Sequence, residues 1–379
     1  MGKVAFLGIG QCGGNICDVA ERHGFLTGAI NLCKEDLQCL KYVKSKLYLN
    51  GYGAGKDRSV AIEKVKEDFD NIAGWICNNY NDNDVEIIYV VFSSGGGTGS
   101  GIGPMIIDLM SDIMPHKRWG SIVVLPFENE GLSVYLNTLK CMEELTEIRN
   151  LASVFFIDNA KTSNFTRLSR KNVIEFTNNN IIENIKYVIE VTKNTSKFGN
   201  FDMKDLISIL SERGNVIISK VNLPENYDPN KVSIQQMIES GLEINIFTDI
   251  QFDKVITKAG IIYEVEEQIF NLIDNKTILK NIGNPVDLFE GYYLSGKNSI
   301  TVILSGMTFP FNTLKEIDDS LQNDRDKIKN TIEIVKTQQF KSKSFEFINI
   351  VHDNKKSIDS QQNITKPSLS LKEKLAKYK

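Results

Sequence analysis

Ser93-Ser94-Gly95-Gly96-Gly97-Thr98-Gly99-Ser100-Gly101 is the stretch whose reading decides the fold. It follows Val85–Phe92, a nearly continuous apolar run of the kind buried on both faces of a parallel sheet. It opens Gly101–Met114, which is helical in pattern and halted by Pro115. A glycine loop between strand and helix suits a phosphate. Glycines let the backbone approach an anion closely, and the free amides and dipole of the helix N-terminus stabilise its charge. Thr98 and Ser100 add hydroxyl donors. The seven Gly, Thr and Ser residues of Gly95–Gly101 exceed what a tight turn requires.

In chain order the first loop of this kind stands near the N-terminus, and Ser93–Gly101 is the second. Val4–Leu7 reads as a strand, Gly8-Ile9-Gly10-Gln11-Cys12-Gly13-Gly14-Asn15 as the loop, and Gly13–Arg22 as the helix. Gly8, Gly10 and Gly13 satisfy G-x-G-x-x-G, so a Rossmann-type dinucleotide oxidoreductase is an alternative. That fold expects an acidic residue about 20 positions on, to hold the ribose. Here the second strand ends Ala29-Ile30-Asn31, with Glu35 and Asp36 shortly after, and the dinucleotide reading leaves the second loop idle. A P-loop fails as well. In Gly51-Tyr52-Gly53-Ala54-Gly55-Lys56-Asp57, Asn50 replaces the first glycine and Asp57 the Ser/Thr.

Outward from the loops, helices are expected over Val60–Asn79 and Leu132–Ile148, and strands over Ser121–Leu125 and Ser153–Ile157. This rhythm predicts an α/β fold with a doubly wound parallel sheet. Lys171–Lys197 reads as one long helix. A smaller α/β unit follows, with strands expected at Val216–Val221, Glu243–Phe247 and Ser299–Leu304 and helices between them. Thr313–Gln338 reads as a charged helix and Phe345–Val351 as a last strand. From Asn354 the chain is polar and lysine-rich, a composition expected to lack a fixed fold when free.

The 379 residues suffice for two domains and a tail. A net charge of −4 does not suggest a nucleic-acid binder. No apolar run reaches the roughly 18 residues of a membrane span, and no signal-peptide pattern opens the chain. A cytoplasmic protein without membrane contact is therefore expected. Six cysteines without a C-x-x-C pair fit reduced thiols. Three histidines give no support to a histidine metal site or a Ser/His/Asp triad, and no protein metal ligands are assigned.

Gly95–Gly101 and Gly10–Asn15 together resemble the nucleotide loops of the tubulin/FtsZ superfamily, and the likeness runs in order over about the first 215 residues. It implies a GTP-binding domain over 1–173, a long central helix with a catalytic loop over 174–214, and a second α/β domain over 215–312. A C-terminal helix and strand over 313–353 and a flexible basic tail over 354–379 complete the division. The implied ligand is GTP or GDP, with Mg²⁺ expected. Its contacts are expected from Gly10, Gln11, Cys12, Gly13, Asn15 and Asn31, from Gly53, Ala54, Gly55 and Lys56, and from Gly95, Gly96, Gly97, Thr98, Gly99 and Ser100. Pro126–Gly131 resembles the sugar loop, with Glu130 on the ribose, while Val134 stands where FtsZ carries an arginine. Asn159 is implied in guanine recognition. Phe176 and Asn180, four apart on one helix face, match an aromatic that stacks on the base and an amide that pairs with its edge.

Asn200, Asp202 and Asp205 fit the family's catalytic N-x-D-x-x-D pattern. Acids also suit a helix N-terminus without chemistry. The 20 residues from Asn180 to Asn200 make about 30 Å if helical, too far for the loop to reach its own nucleotide. The resemblance therefore implies self-assembly head-to-tail, with the aspartates of one subunit completing the site of the next. Within the superfamily the basic tail, ending Leu369–Lys379, resembles the plasmid- and phage-segregating TubZ branch. That branch implies a filament whose tail engages a DNA-binding, TubR-like adaptor and, through it, centromeric DNA. An FtsZ-like division scaffold is the alternative inside the superfamily.

Overall fold

The computed structural model describes residues 2–322 except 225, 226, 229–232, 251–254, 272, 274–277, 280 and 281. The expected helix beyond residue 322, the strand at Phe345–Val351 and the tail lie outside the described residues. One sheet of ten strands runs through the molecule: β1 (Val4–Ile9), β2 (Leu26–Asn31), β3 (Ser45–Tyr48), β4 (Ile87–Ser93), β5 (Arg118–Leu125), β6 (Leu151–Asp158), β7 (Gly214–Asn222), β8 (Lys258–Val265), β9 (Asp287–Leu294) and β10 (Ser299–Met307). Their order is β3-β2-β1-β4-β5-β6-β7-β10-β8-β9. All pairings from β3 to β7 are parallel, whereas β10 runs antiparallel to both β7 and β8.

Both faces are covered, as a parallel sheet requires. Val4 and Phe6 of β1 join one core with α1 (Gly10–Arg22), α8 (Arg170–Val191) and α9 (Met203–Leu210). Ala5, Leu7 and Ile9, on the alternate positions, join the other core with α4 (Phe69–Tyr80), α5 (Thr98–Ile113) and α6 (Leu132–Glu147). The period of two along the strand thus assigns each residue its layer. The order reverses beside β1, whose neighbours β2 and β4 lie on opposite sides. In open α/β sheets such a switch point, at the carboxyl ends of the strands, is where ligands bind.

Two expectations need correction. The single helix over Val60–Asn79 is two, α3 (Arg58–Glu67) and α4, broken at Asp68 with φ −132°. The Asp68 carboxylate accepts from the Asn71 side chain, a local bond that competes with the helical backbone. The apolar stripe survives the break, since Val65, Phe69, Ile72 and Ile76 are all buried. Glu243–Phe247 is not a strand. It is the end of α10 (Ile234–Glu243) and a loop, with one isolated bridge from Phe247 to Ile157. Ile246 and Phe247 are buried while Ile244 is exposed, so a short apolar alternation arises without a ladder.

Candidate nucleotide site

The strands β1 and β4 end side by side, and each passes directly into a helix. Gly10 turns the chain into α1 at φ +72°, a region that favours glycine. Gly13 is demanded by packing: a Cβ there would stand 1.9 Å from the Val91 carbonyl oxygen, so α1 lies hard against β4. The loops also touch one another. A Cβ on Gly10 would meet Gly99 N at 3.3 Å, and one on Gly97 would meet Ala54 Cβ at 2.7 Å.

The second loop is tied from below. Ser94 N donates to the Val124 carbonyl at 3.0 Å, Ser100 Oγ to the Gly96 carbonyl, and Asn137 Nδ2 to the Gly95 carbonyl at 3.2 Å. The same Asn137 amide donates to the Lys56 carbonyl at 2.9 Å. That bond helps hold Lys56 at φ +66°, unusual for a residue with a side chain. Helix geometry leaves the N–H groups at the start of α5 without intrahelical partners until Gly101 N donates to the Gly97 carbonyl at 3.1 Å, and Gly97, Thr98 and Gly99 line the space between the loops.

That space is a cavity of about 350 Å³. Gly10, Gln11, Cys12, Asn31, Gly53, Ala54, Gly55, Lys56, Gly96, Gly97, Thr98 and Gly99 line it, together with Ile9, Cys33, Asp36 and Ser93. Three loops far apart in sequence thus converge on one anion-sized site, with Lys56 the lining cation. Asn31 is anchored at both ends of its amide, accepting from Cys33 N at 3.2 Å and donating to Asp36 Oδ2 at 3.0 Å. Burial pushes the Cys12 thiol up to about 12, which favours its protonated form near neutrality. All six cysteines are free.

Beside this cavity a groove of about 540 Å³ separates α1 from α8, lined by Asn15, Arg170, Lys171, Ile174, Glu175 and Asn178. Asn178 is 8% exposed, and its side-chain amide has no hydrogen-bond partner among the described residues. Phe176 and Asn180 line neither space. At about 100° per residue each lies about 200° around α8 from Ile174 and Asn178 respectively. Phe176 is 38% exposed, and Asn180 Oδ1 accepts from Asn184 at 2.9 Å. Asn159 is buried, its Oδ1 accepting from Thr177 Oγ1 at 3.2 Å. Glu130 pairs with Arg170. Gly13, Gly95 and Ser100 support the loops without lining the cavity. Sequence reasoning did not count Cys33, Asp36, Ser93, Arg170, Ile174 or Asn178 among the nucleotide contacts; only their place in the fold draws them in.

A larger cavity of about 820 Å³ lies against Pro126–Glu128, walled by Phe127, Asp158, Lys161, Ile244 and Ile317 among others, and no glycine lines it. Asp158 caps α7 (Asn159–Thr166) by accepting from Lys161 N at 2.8 Å, while burial pushes its carboxyl upward.

The acidic pair stands elsewhere. Asp202 and Asp205 form a capping box at the start of α9. Asp202 Oδ1 accepts from Lys204 N and Asp205 N, and Asp205 Oδ2 accepts from Asp202 N at 2.9 Å. Asn200 Oδ1 accepts from Ser196 N at 2.6 Å. The helix expected over Lys171–Lys197 is shorter than that, because α8 ends at Val191, so the residues from there to Asn200 are not one continuous helix. Topology separates the two regions instead. Arg170 to Asn178 of α8 lie along the groove with Asn15, and from Asn178 the helix runs on for roughly 20 Å to its end at Val191. α9 then leads into the first residue of β7, where Ser153, near the start of β6, donates to the Leu210 carbonyl.

Among the described residues no group of three or more His, Cys, Asp or Glu is arranged to hold a metal, and no helix is long and apolar enough to cross a membrane. Residues 3–167 match the family model for the Tubulin/FtsZ family, GTPase domain. The tubulin-like protein TubZ of Clostridium botulinum C phage is 25% identical over 367 residues, covering 94% of this chain and 92% of its own length. CetZ of Pyrococcus abyssi is 22% identical over 325 residues, covering 80% of this chain and 86% of its own. The crystal structure of Bacillus thuringiensis serovar israelensis TubZ in a GTPγS-form protofilament superposes with a TM-score of 0.75 at 18% identity, over 86% of this chain and 94% of that one. The glycine loops that meet in one cavity at the switch point of the sheet thus lie within residues 3–167, the part of the chain that matches the GTPase domain of the Tubulin/FtsZ family.

Proposed function

We propose that this chain is a filament-forming GTPase whose hydrolytic site is completed by a second copy docked end-on. The observation that carries this reading is that the C-terminal part of α8 and the loop after it stand between the nucleotide groove and the capping pair Asp202 and Asp205. The triphosphate lies on Gly10–Cys12, Gly53–Lys56 and Gly96–Gly99. Lys56, the loop amides and the helix N-termini offset its charge. Mg²⁺ fits this arrangement through the phosphates and water rather than through a protein cage, and when bound it would neutralise charge between the phosphoryl oxygens. The base occupies the groove beside Asn15. There the unpartnered Asn178 amide, with donor and acceptor both available, favours Ile174 and Asn178 over Phe176 and Asn180 as the pair that meets guanine.

Each aspartate keeps one oxygen outside the capping box, and on the neighbouring subunit's nucleotide these oxygens orient the attacking water. The contact joins unlike ends, so it propagates as an open filament. The protofilament of the Bacillus thuringiensis TubZ supports the same assembly here. The likeness to a phage TubZ, and the lysine-rich residues 354–379, support a role in segregating plasmid or phage DNA. In that role the tail meets a DNA-bound adaptor protein. An FtsZ-like division scaffold would use the same site.

Phosphate release measured across protein concentration tests the shared site. Turnover per molecule should be near zero below a threshold and climb above it. A specific activity that stays constant down to dilute monomer would falsify the proposal.

A further inference from the structure

The nucleotide reading leaves Arg170 unused, yet its side chain reaches Pro126–Gly131 at two residues. Arg170 Nη2 donates to Glu130 Oε1, and the guanidinium lies over the Phe127 ring at 4.5 Å from its centroid. One residue at the first position of α8 thus grips two residues of Pro126–Gly131. The loop is braced independently by Glu130 N, which donates to the Tyr135 hydroxyl at 3.1 Å, and by Asn164 Nδ2, which donates to Glu128 Oε1 at 3.1 Å. Arg170 also lines the groove next to Asn15 and Asn178, so the ion pair stands between loop and groove.

Two details indicate what the pair does. The Glu130 side chain is only 16% exposed, and its Oε2 accepts no hydrogen bond among the described residues. The Arg170 side chain is 63% exposed. An ion pair so open to water adds little to stability, so its geometry matters more than its contribution to folding. Glu130 itself lines neither the cavity nor the groove, and the guanidinium of Arg170, which does line the groove, neutralises its carboxylate and fixes its plane.

We propose that Arg170 is a positioning residue for the sugar of the bound nucleotide: it holds Glu130 Oε1 so that Oε2 accepts from the ribose hydroxyls. The idea rests on the nucleotide reading above. It is tested by calorimetric titration of the full-length chain with GDP and with 2′,3′-dideoxy-GDP, which lacks both hydroxyls and avoids turnover. The wild-type chain should prefer GDP by about tenfold, the worth of a hydrogen bond to a charged group. In Arg170→Ala and in Glu130→Gln the ratio should fall towards one, with the double variant no lower than either single one. Arg170→Lys, which keeps charge but not the planar fork, should recover only part of it.

A wild-type ratio retained by Arg170→Ala overturns the role of Arg170 while leaving the nucleotide reading intact. So does a wild-type chain that binds both ligands equally. No GDP binding at all would overturn the nucleotide reading itself, and this role with it.

Discussion

At the N-terminal end of α8 the backbone is fixed by contact; at its C-terminal end it is fixed by hydrogen bonds at the surface. Around the phosphate cavity Gly13 has no room for a methyl group, Gly97 presses on the loop at Ala54 and Asp57, and Gly99 presses on the strand ends at Ile9 and Phe92. Around α9 the acidic pair is satisfied by its own backbone, with Asp202 exposed. A close-packed site is rigid before its ligand arrives. A capped helix end can present charge outward to another molecule. The difference fits a nucleotide cradle at one end and a docking end at the other.

The largest effect expected is on the rigid end. Gly13→Ala should destabilise the fold by about 3–5 kcal/mol, since neither the Val91 carbonyl nor β4 can retreat. Gly96→Ala makes the contrast. Its Cβ would meet nothing nearer than Ser93 Oγ at 3.7 Å, so thermal unfolding should barely change while nucleotide affinity falls, because the methyl enters the cavity. Equal losses of stability in both variants would erase the distinction between packing and lining glycines.

At the other end Asp202→Asn is the sharper variant, because Asn caps a helix about as well as Asp, whereas Ala costs roughly 1 kcal/mol. Stability should stay within about 0.5 kcal/mol and filaments should still sediment with GTP, while assembled turnover drops about 100-fold. Normal turnover would leave the pair with capping alone.

The smallest effect concerns base choice. Asn178→Ala should weaken discrimination of guanosine from inosine nucleotides about tenfold, and Asn180→Ala should leave it unchanged. The reverse result would return base reading to the Phe176 face. Competition binding with GDP and IDP measures both.

Much of the first half was legible because its constraints are local. Continuous apolar runs marked β4 and β6, and a glycine run that no turn needs marked the second loop. Helix spacing correctly put Phe176 and Asn180 on one face, but nothing in the sequence says which face meets α1. That depends on how α8 rolls on the sheet, set by Ile181, Ile182 and Ile185 in the core. Arg170 was missed for a similar reason, since its partners Glu130 and Phe127 are about forty residues away in sequence. In the second half, β8 and β9 were overlooked, and Glu243–Phe247 imitated a strand through alternation too short to discriminate.

The sheet also has a narrow seam. β6 and β7 are joined through only two register pairs, Ser153 with Gly214 and Val154 with Asn215, whereas β5 and β6 share six and β8 and β9 eight. Tension along a polymer of such subunits would concentrate where the ladder is shortest. The amides at this join should then be the first in the sheet to exchange with deuterium under strain, which would make the seam a mechanical fuse between the half that holds the ligand and the half that carries β8, β9 and β10.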